Sequence, residues 1–144
     1  MSIGDKWFIG MAEYVSTASK DPSTKVGSVI VRPDRTVASV GFNGFPKGML
    51  DDPDIYKNRE LKYSRIIHAE MNALLFCKEK PTGYTLYTWP FPPCDRCAVH
   101  MVQAGIARVV SRGSLEDPKW SRWYKSWELA MEAFQEAGVK VDLL

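Results

Sequence analysis

At 144 residues, with 45% hydrophobic and 25% charged side chains, the chain has the composition of one globular domain with a sizeable core. A formal charge of +2 without any Lys/Arg-rich run argues against a nucleic-acid polymer as partner and for a small ligand. No apolar run is long enough to span a bilayer, the N-terminus lacks the pattern of a secretory leader, and three cysteines cannot all pair, so no membrane partner, a cytoplasmic setting and no disulfide framework are expected.

The first element is a helix within 6–20, where Trp7, Phe8, Met11, Ala12 and Val15 recur at helical spacing before Asp21-Pro22 closes it. Two apolar runs, 26–32 and 36–42, flank Pro33-Asp34 and read as a β-hairpin. The second run enters a Gly/Pro-rich stretch, GFNGFPKGMLDDPD (41–54), which reads as a functional loop. SRIIHAEMNALLF (64–76) follows as a helix with Tyr63 and Ser64 as its start residues, and then 84–88 as a strand. Residues 94–106 read as a helix ended by Gly105, and 107–111 as a strand. In the tail, Trp123, Trp127, Ala130, Met131 and Phe134 share one helical stripe, Gly138 caps it, and 139–144 is the last strand. The helix between the last two strands favours a parallel crossover, so the chain is expected to form one α/β domain over 1–144.

His68 and Glu70 interrupt an otherwise apolar run. Two positions apart they diverge by roughly 200° in mid-helix, but in a first turn both can serve one site, where the backbone dipole favours negative charge. Pro93 opens the next helix in the same way, placing Cys94 and Cys97 one turn apart at its start, able to reach a common point. One imidazole and two thiolates form a three-ligand zinc set whose fourth position is left for water, with a pKa lowered to about 7. Glu70 is then free to move protons. The alternative is a non-catalytic zinc module closed by His100 as fourth ligand. Cys77 reads as a core thiol.

The order His68-Ala69-Glu70, then Pro93-Cys94-Asp95-Arg96-Cys97, matches the zinc nucleobase deaminase signature. Together with VGSVIV, GFNGFPKG, HAEMNAL and PPCDRCAVHMVQAGI, it resembles the deoxycytidylate deaminases, especially their compact phage type, over residues 1 to about 140. The resemblance implies a three-layer α/β/α fold with a mixed five-stranded sheet. It also implies hydrolytic conversion of dCMP to dUMP and ammonia, which feeds thymidylate synthesis, with His68, Cys94 and Cys97 on zinc and Glu70 catalytic. With only His100 and Cys77 left over, one zinc per chain is expected. The same resemblance implies a homohexamer regulated by dCTP as activator and dTTP as inhibitor, through a site including Gly41, Phe42, Asn43 and Gly44, where a triphosphate would bring Mg2+.

By resemblance Asn43 is a contact to the substrate sugar, and Ala69 is a further substrate contact. The aromatic cluster Trp120, Trp123, Tyr124 and Trp127 reads as core or subunit interface, with Tyr124 the member expected at the pocket mouth. Two sets compete for the phosphate: Ser23, Thr24 and Lys25 before the first strand, or the cations Lys47, Lys57, Arg59, Lys62 and Arg65. A tRNA or DNA deaminase of the same fold is the rival reading, and Asp51, Asp52 and Asp54, expected beside the pocket, argue against it by repelling a phosphate backbone.

Overall fold

The computed structural model describes residues 3–113 and 116–144. Its elements run α1 (Asp5–Ser16), β1 (Gly27–Val31), β2 (Val37–Phe42), α2 (Pro53–Lys57), α3 (Arg59–Arg65) and α4 (Ala69–Phe76). They continue with β3 (Thr85–Trp89), α5 (Asp95–Ala104), β4 (Arg108–Ser111), a 3₁₀ turn at Pro118–Trp123, α6 (Tyr124–Ala137) and β5 (Lys140–Leu143). The strands form one mixed sheet in the order β2-β1-β3-β4-β5. β1 is antiparallel to both neighbours, whereas β3, β4 and β5 are mutually parallel, as the crossover helices require.

β1 is buried along its whole length, which is why its sequence is a continuous run rather than an alternation. Val29 and Val31 face α1 with Phe8, Ala12, Tyr87 and Val110. Ile30, Leu86 and Val109 face the opposite layer, where Ala73 of α4, Met101 of α5 and Phe134 of α6 complete the core. The layers are therefore α1, the sheet, and α4 with α5 and α6. Gly27 permits the first contact: a Cβ there would lie 2.0 Å from the Ala12 carbonyl oxygen. Gly41 permits the other, since its Cβ would lie 2.4 Å from the Ala73 nitrogen and 2.5 Å from the Ala69 oxygen.

Several elements depart from the sequence-based expectation. α1 ends at Ser16, short of Asp21-Pro22, because the hydroxyls of Ser16 and Thr17 donate back to the Glu13 and Tyr14 carbonyls and divert the chain. Helix α2 and most of α3 occupy ground not read as helical. Asp52 caps the first with Pro53 behind it, and the Asn58 side chain caps the second by accepting from Leu61 N at 3.1 Å. Tyr63 and Ser64 thus belong to α3 and do not start the helix of His68. Between the two helices, Ile67 is held extended by a paired bridge to Gly44, with N–O distances of 3.1 and 2.8 Å. No helix among the described residues is long and apolar enough to cross a membrane.

Candidate active site

The Gly44–Ile67 bridge delivers His68 to the N-cap of α4, with an extended backbone and an imidazole not used for capping. Cys94 is the N-cap of α5, and its sulfur accepts from Cys97 N at 3.4 Å. Both helices therefore begin at the same place, at the C-terminal end of β3. His68 Nδ1 lies 3.4 Å from Cys94 Sγ and 3.3 Å from Cys97 Sγ, and the three donor atoms all fall within 4.8 Å of one another. Tetrahedral zinc demands N–S and S–S separations of roughly 3.6 and 3.8 Å from its bond lengths, so the triad fits this metal in type and spacing. His100 is not part of it: the exposed ring donates from Nδ1 to the Arg96 carbonyl at 2.7 Å, within α5. Cys77 is the half-buried C-cap of α4, at the helix end away from His68.

Without metal the triad holds its protons unevenly. The Cys97 thiol donates toward Cys94 and, with the Cys97 N–H and His68, holds Cys94 well below the usual thiol range against the pull of burial. Cys97 is pushed up in return, first by that hydrogen bond, then by burial and the Glu70 charge. His68 is raised chiefly by its hydrogen bond to Cys94.

Glu70, in the first turn of α4, is only 3% exposed and stands beside the triad without joining it. Its Oε1 accepts from the Thr88 hydroxyl at 2.7 Å, and Thr88 in turn accepts from Ser28 Oγ at 3.2 Å. Both hydroxyls are fully buried on adjacent strands. Neither was marked by sequence, because a Thr or Ser inside a strand has no spacing signature.

His68, Cys94 and Glu70 line a pocket enclosing about 690 Å3 including its open mouth, with Thr88 and Ser28 behind its wall. Of the residues anticipated as substrate contacts, Asn43, Thr24 and Ala69 line it, as does Lys62 from the rival cation set. Lys25 does not: its ammonium turns to the Ser19 carbonyl. Tyr124 does not either, since its hydroxyl donates to the Asp117 carbonyl at 2.9 Å and its ring leans on Trp127. The pocket wall is instead Phe91, Trp123 and Trp127, whose rings pack together, so part of the aromatic stripe is pocket rather than interface. The Trp123 indole N–H is buried without a partner among the described residues, a donor that a ligand or water would satisfy.

Asn43 is buried and largely engaged. Its Oδ1 accepts from Val26 N at 2.9 Å, while Nδ2 donates to the Thr24 carbonyl at 2.9 Å and to Asp21 at 3.3 Å. Asp21 also accepts from Ser23 N at 2.8 Å and from Lys62 Nζ at 3.0 Å, which makes it the organiser of this wall. The acid beside the pocket is thus Asp21. Asp51, Asp52 and Asp54 lie outside it, Asp51 pairing with Lys20 at 2.6 Å and Asp52 capping α2. The GFNG stretch divides between environments: Gly41 is pressed on α4, Phe42 is 40% exposed on the opposite face of edge strand β2, and Asn43 faces the pocket.

Comparison with known proteins agrees with this geometry. Residues 3–112 match the family described as the cytidine and deoxycytidylate deaminase zinc-binding region. An uncharacterized deaminase from the luxG 3′ region of Aliivibrio fischeri is 44% identical over 142 residues, covering 96% of this chain and 94% of that protein. A probable deoxycytidylate deaminase of Caenorhabditis elegans is 40% identical over 107 residues, covering 71% of this chain but 53% of that longer protein. Among solved structures, the dCMP deaminase of cyanophage S-TIM5 in complex with dCMP and dUMP shares the fold with a TM-score of 0.71, at 22% identity over 99% of this chain and all of that one.

Proposed function

The chain belongs to the cytidine and deoxycytidylate deaminase family of zinc-dependent enzymes, and on that premise we propose that it hydrolyses dCMP to dUMP and ammonia, supplying the precursor of thymidylate. The observation that carries this is the buried carboxylate of Glu70 beside a three-ligand triad, an arrangement a closed structural metal site does not need. Bound by His68, Cys94 and Cys97, zinc would acidify a water at its open position. Glu70 does the proton work: it takes a proton from the attacking water and passes it to the ring nitrogen next to the amine-bearing carbon, then takes the proton of the hydroxyl added to that carbon and passes it to the amine as the C–N bond breaks. Thr88 fixes Oε1, which leaves Oε2 as the oxygen that carries the proton. The aromatic wall of Phe91, Trp123 and Trp127 gives the base a stacking surface and excludes water.

The choice of dCMP is supported by the name of the Caenorhabditis relative and by the ligands of the cyanophage enzyme. Asn43 and Ala69 contact the nucleoside in this reading. Free cysteines at the metal site suit a reducing cytoplasm. The reading extends to regulation, with dCTP activating and dTTP inhibiting through the Gly41–Gly44 turn, Mg2+ accompanying the triphosphate, in a homohexamer. Its support is the exposed Phe42 ring on an open sheet edge, and Leu75 and Phe76 exposed on α4, a helix apolar on nearly every side.

Ammonia release measured on the zinc-loaded enzyme with cytidine, CMP, dCMP, dCTP and tRNA tests the substrate. dCMP is expected to give the highest kcat/KM; tRNA leading the series would place the chain among the polynucleotide deaminases instead.

A further inference from the structure

Exposure grades along the pocket. Glu70 and Ala69 are buried at its inner end beside the metal triad, while Ser23, Tyr63 and Arg122 are exposed and form its rim. Ser23 and Arg122 also border two outer grooves that meet the pocket at this rim. A ligand with its base at the triad and a longer 5′ end must leave the pocket between them.

Two cations line the pocket, and their circumstances differ. Lys62 is neutralised: its ammonium lies 3.0 Å from Asp21, with the two side chains only 11% and 4% exposed. Asp21 meanwhile holds the Ser23 and Thr24 nitrogens and the Asn43 amide, so this ion pair fixes the shape of the wall. Arg122 makes no ion pair among the described residues. Its guanidinium lies 5.1 Å over the ring of Trp123, a residue of the pocket wall. An arginine held on an aromatic face, with its N–H fork unclaimed by any carboxylate, is preorganised for an oxyanion. The Ser23 hydroxyl, also without a partner among the described residues, stands on the same rim as a second donor.

Resting on the reading of dCMP as substrate, we propose that Arg122, assisted by the Ser23 hydroxyl, binds the 5′-phosphate and sets the preference for nucleotide over nucleoside. Lys62 is the counter-ion of Asp21 and not the phosphate ligand. The phosphate site is therefore neither of the sets visible in the sequence: it takes Ser23 from one, nothing charged from the other, and its cation from the turn before α6.

The test is the ratio of kcat/KM for dCMP to that for deoxycytidine, measured on the zinc-loaded wild type, Arg122→Ala and Arg122→Lys. Loss of a charge-assisted bidentate contact should lower the ratio about 10- to 100-fold in Arg122→Ala, mostly through KM for dCMP, with partial recovery in Arg122→Lys. Competitive inhibition by inorganic phosphate should weaken in parallel. A wild-type preference for dCMP that survives Arg122→Ala intact overturns the assignment of Arg122 alone. A wild type that deaminates deoxycytidine as well as dCMP overturns the assignment together with the substrate reading beneath it.

Discussion

The hydroxyl of Thr88 donates a 2.7 Å hydrogen bond to Oε1 of Glu70, tying the C-terminal end of β3 to the first turn of α4. A buried carboxylate with one oxygen so held presents the other in a single direction, which proton transfer to a ring nitrogen requires. Thr88→Val keeps the shape and removes the donor. It should lower kcat/KM about 10- to 100-fold, the value of a hydrogen bond to a charged group expressed in the transition state. Glu70→Gln should cost about 100- to 10,000-fold. Zinc content should stay at the wild-type value in both, and near-normal turnover of Glu70→Gln would remove it from the mechanism.

The triad predicts one zinc per chain. Elemental analysis of protein purified without chelator should give that stoichiometry, and Cys97→Ala should lose metal and activity together. Because Cys97 is held protonated in the metal-free protein, by its bond to Cys94 and by burial, zinc uptake must expel a proton. Titration in weakly buffered solution should therefore show acid release on zinc addition. Uptake with no proton released, or two zincs per chain, would contradict the assignment.

Gly41 tests the packing that places the metal ligands. A methyl group there would press on the Ala69 oxygen and Ala73 nitrogen, both backbone atoms of α4, so no side-chain rotation can relieve it. Gly41→Ala should destabilise the protein by about 1–3 kcal/mol and loosen zinc, since α4 begins at His68. Unfolding by denaturant alongside zinc content checks this; full stability and full zinc retention would show that α4 moves freely on β2.

Regulation makes a separate demand. Of the Gly41–Gly44 turn, only Phe42 offers a side chain to the outside, so Phe42→Ala should abolish any response to dCTP and dTTP without touching the zinc site. In the wild type, a coupling of about 1–3 kcal/mol should make the dCMP curve sigmoidal with dTTP and hyperbolic with dCTP. A hyperbolic curve unmoved by millimolar dTTP rejects the regulatory site and leaves the chemistry standing.

The clustering of His68, Cys94 and Cys97 was legible in the sequence because Pro93 ahead of Cys94 marks a helix start and the order of the two motifs is distinctive, whereas the start of α4 was not, since Tyr63 and Ser64, expected to open it, lie in α3. The parallel pair β4–β5 was legible because the crossover helix forces it. The support of the site was not. Thr88 and Ser28 meet across two strands 60 residues apart in the chain, and Asp21 gathers Asn43 and Lys62 from 22 and 41 positions away. Such contacts are set by register and tertiary packing, which no spacing rule encodes. Helices α2 and α3 did carry a local signal, Asp52-Pro53 and Asn58 at their caps, masked by the Gly/Pro-rich stretch before them.

Asp5 connects the fold to acidity. Its carboxylate accepts from both terminal guanidinium nitrogens of Arg108, at 2.9 and 2.8 Å, from the Tyr87 hydroxyl at 2.5 Å and from Arg35 at 3.3 Å. The Arg108 hydrogen bonds dominate and hold Asp5 well below the ordinary aspartate value of 3.8, against the opposing effect of burial. A group whose folded pKa is depressed stabilises the fold above its unfolded pKa, and that contribution fades as pH falls through the folded value. The wild type should therefore lose stability on acidification below about pH 4. Asp5→Asn removes the charge that Arg108 pairs with and should cost about 1–3 kcal/mol at pH 7, with a shallower loss between pH 4 and pH 2. Denaturant unfolding across that range checks both, and an acid limb as steep in Asp5→Asn as in the wild type would assign the acid sensitivity to another carboxylate.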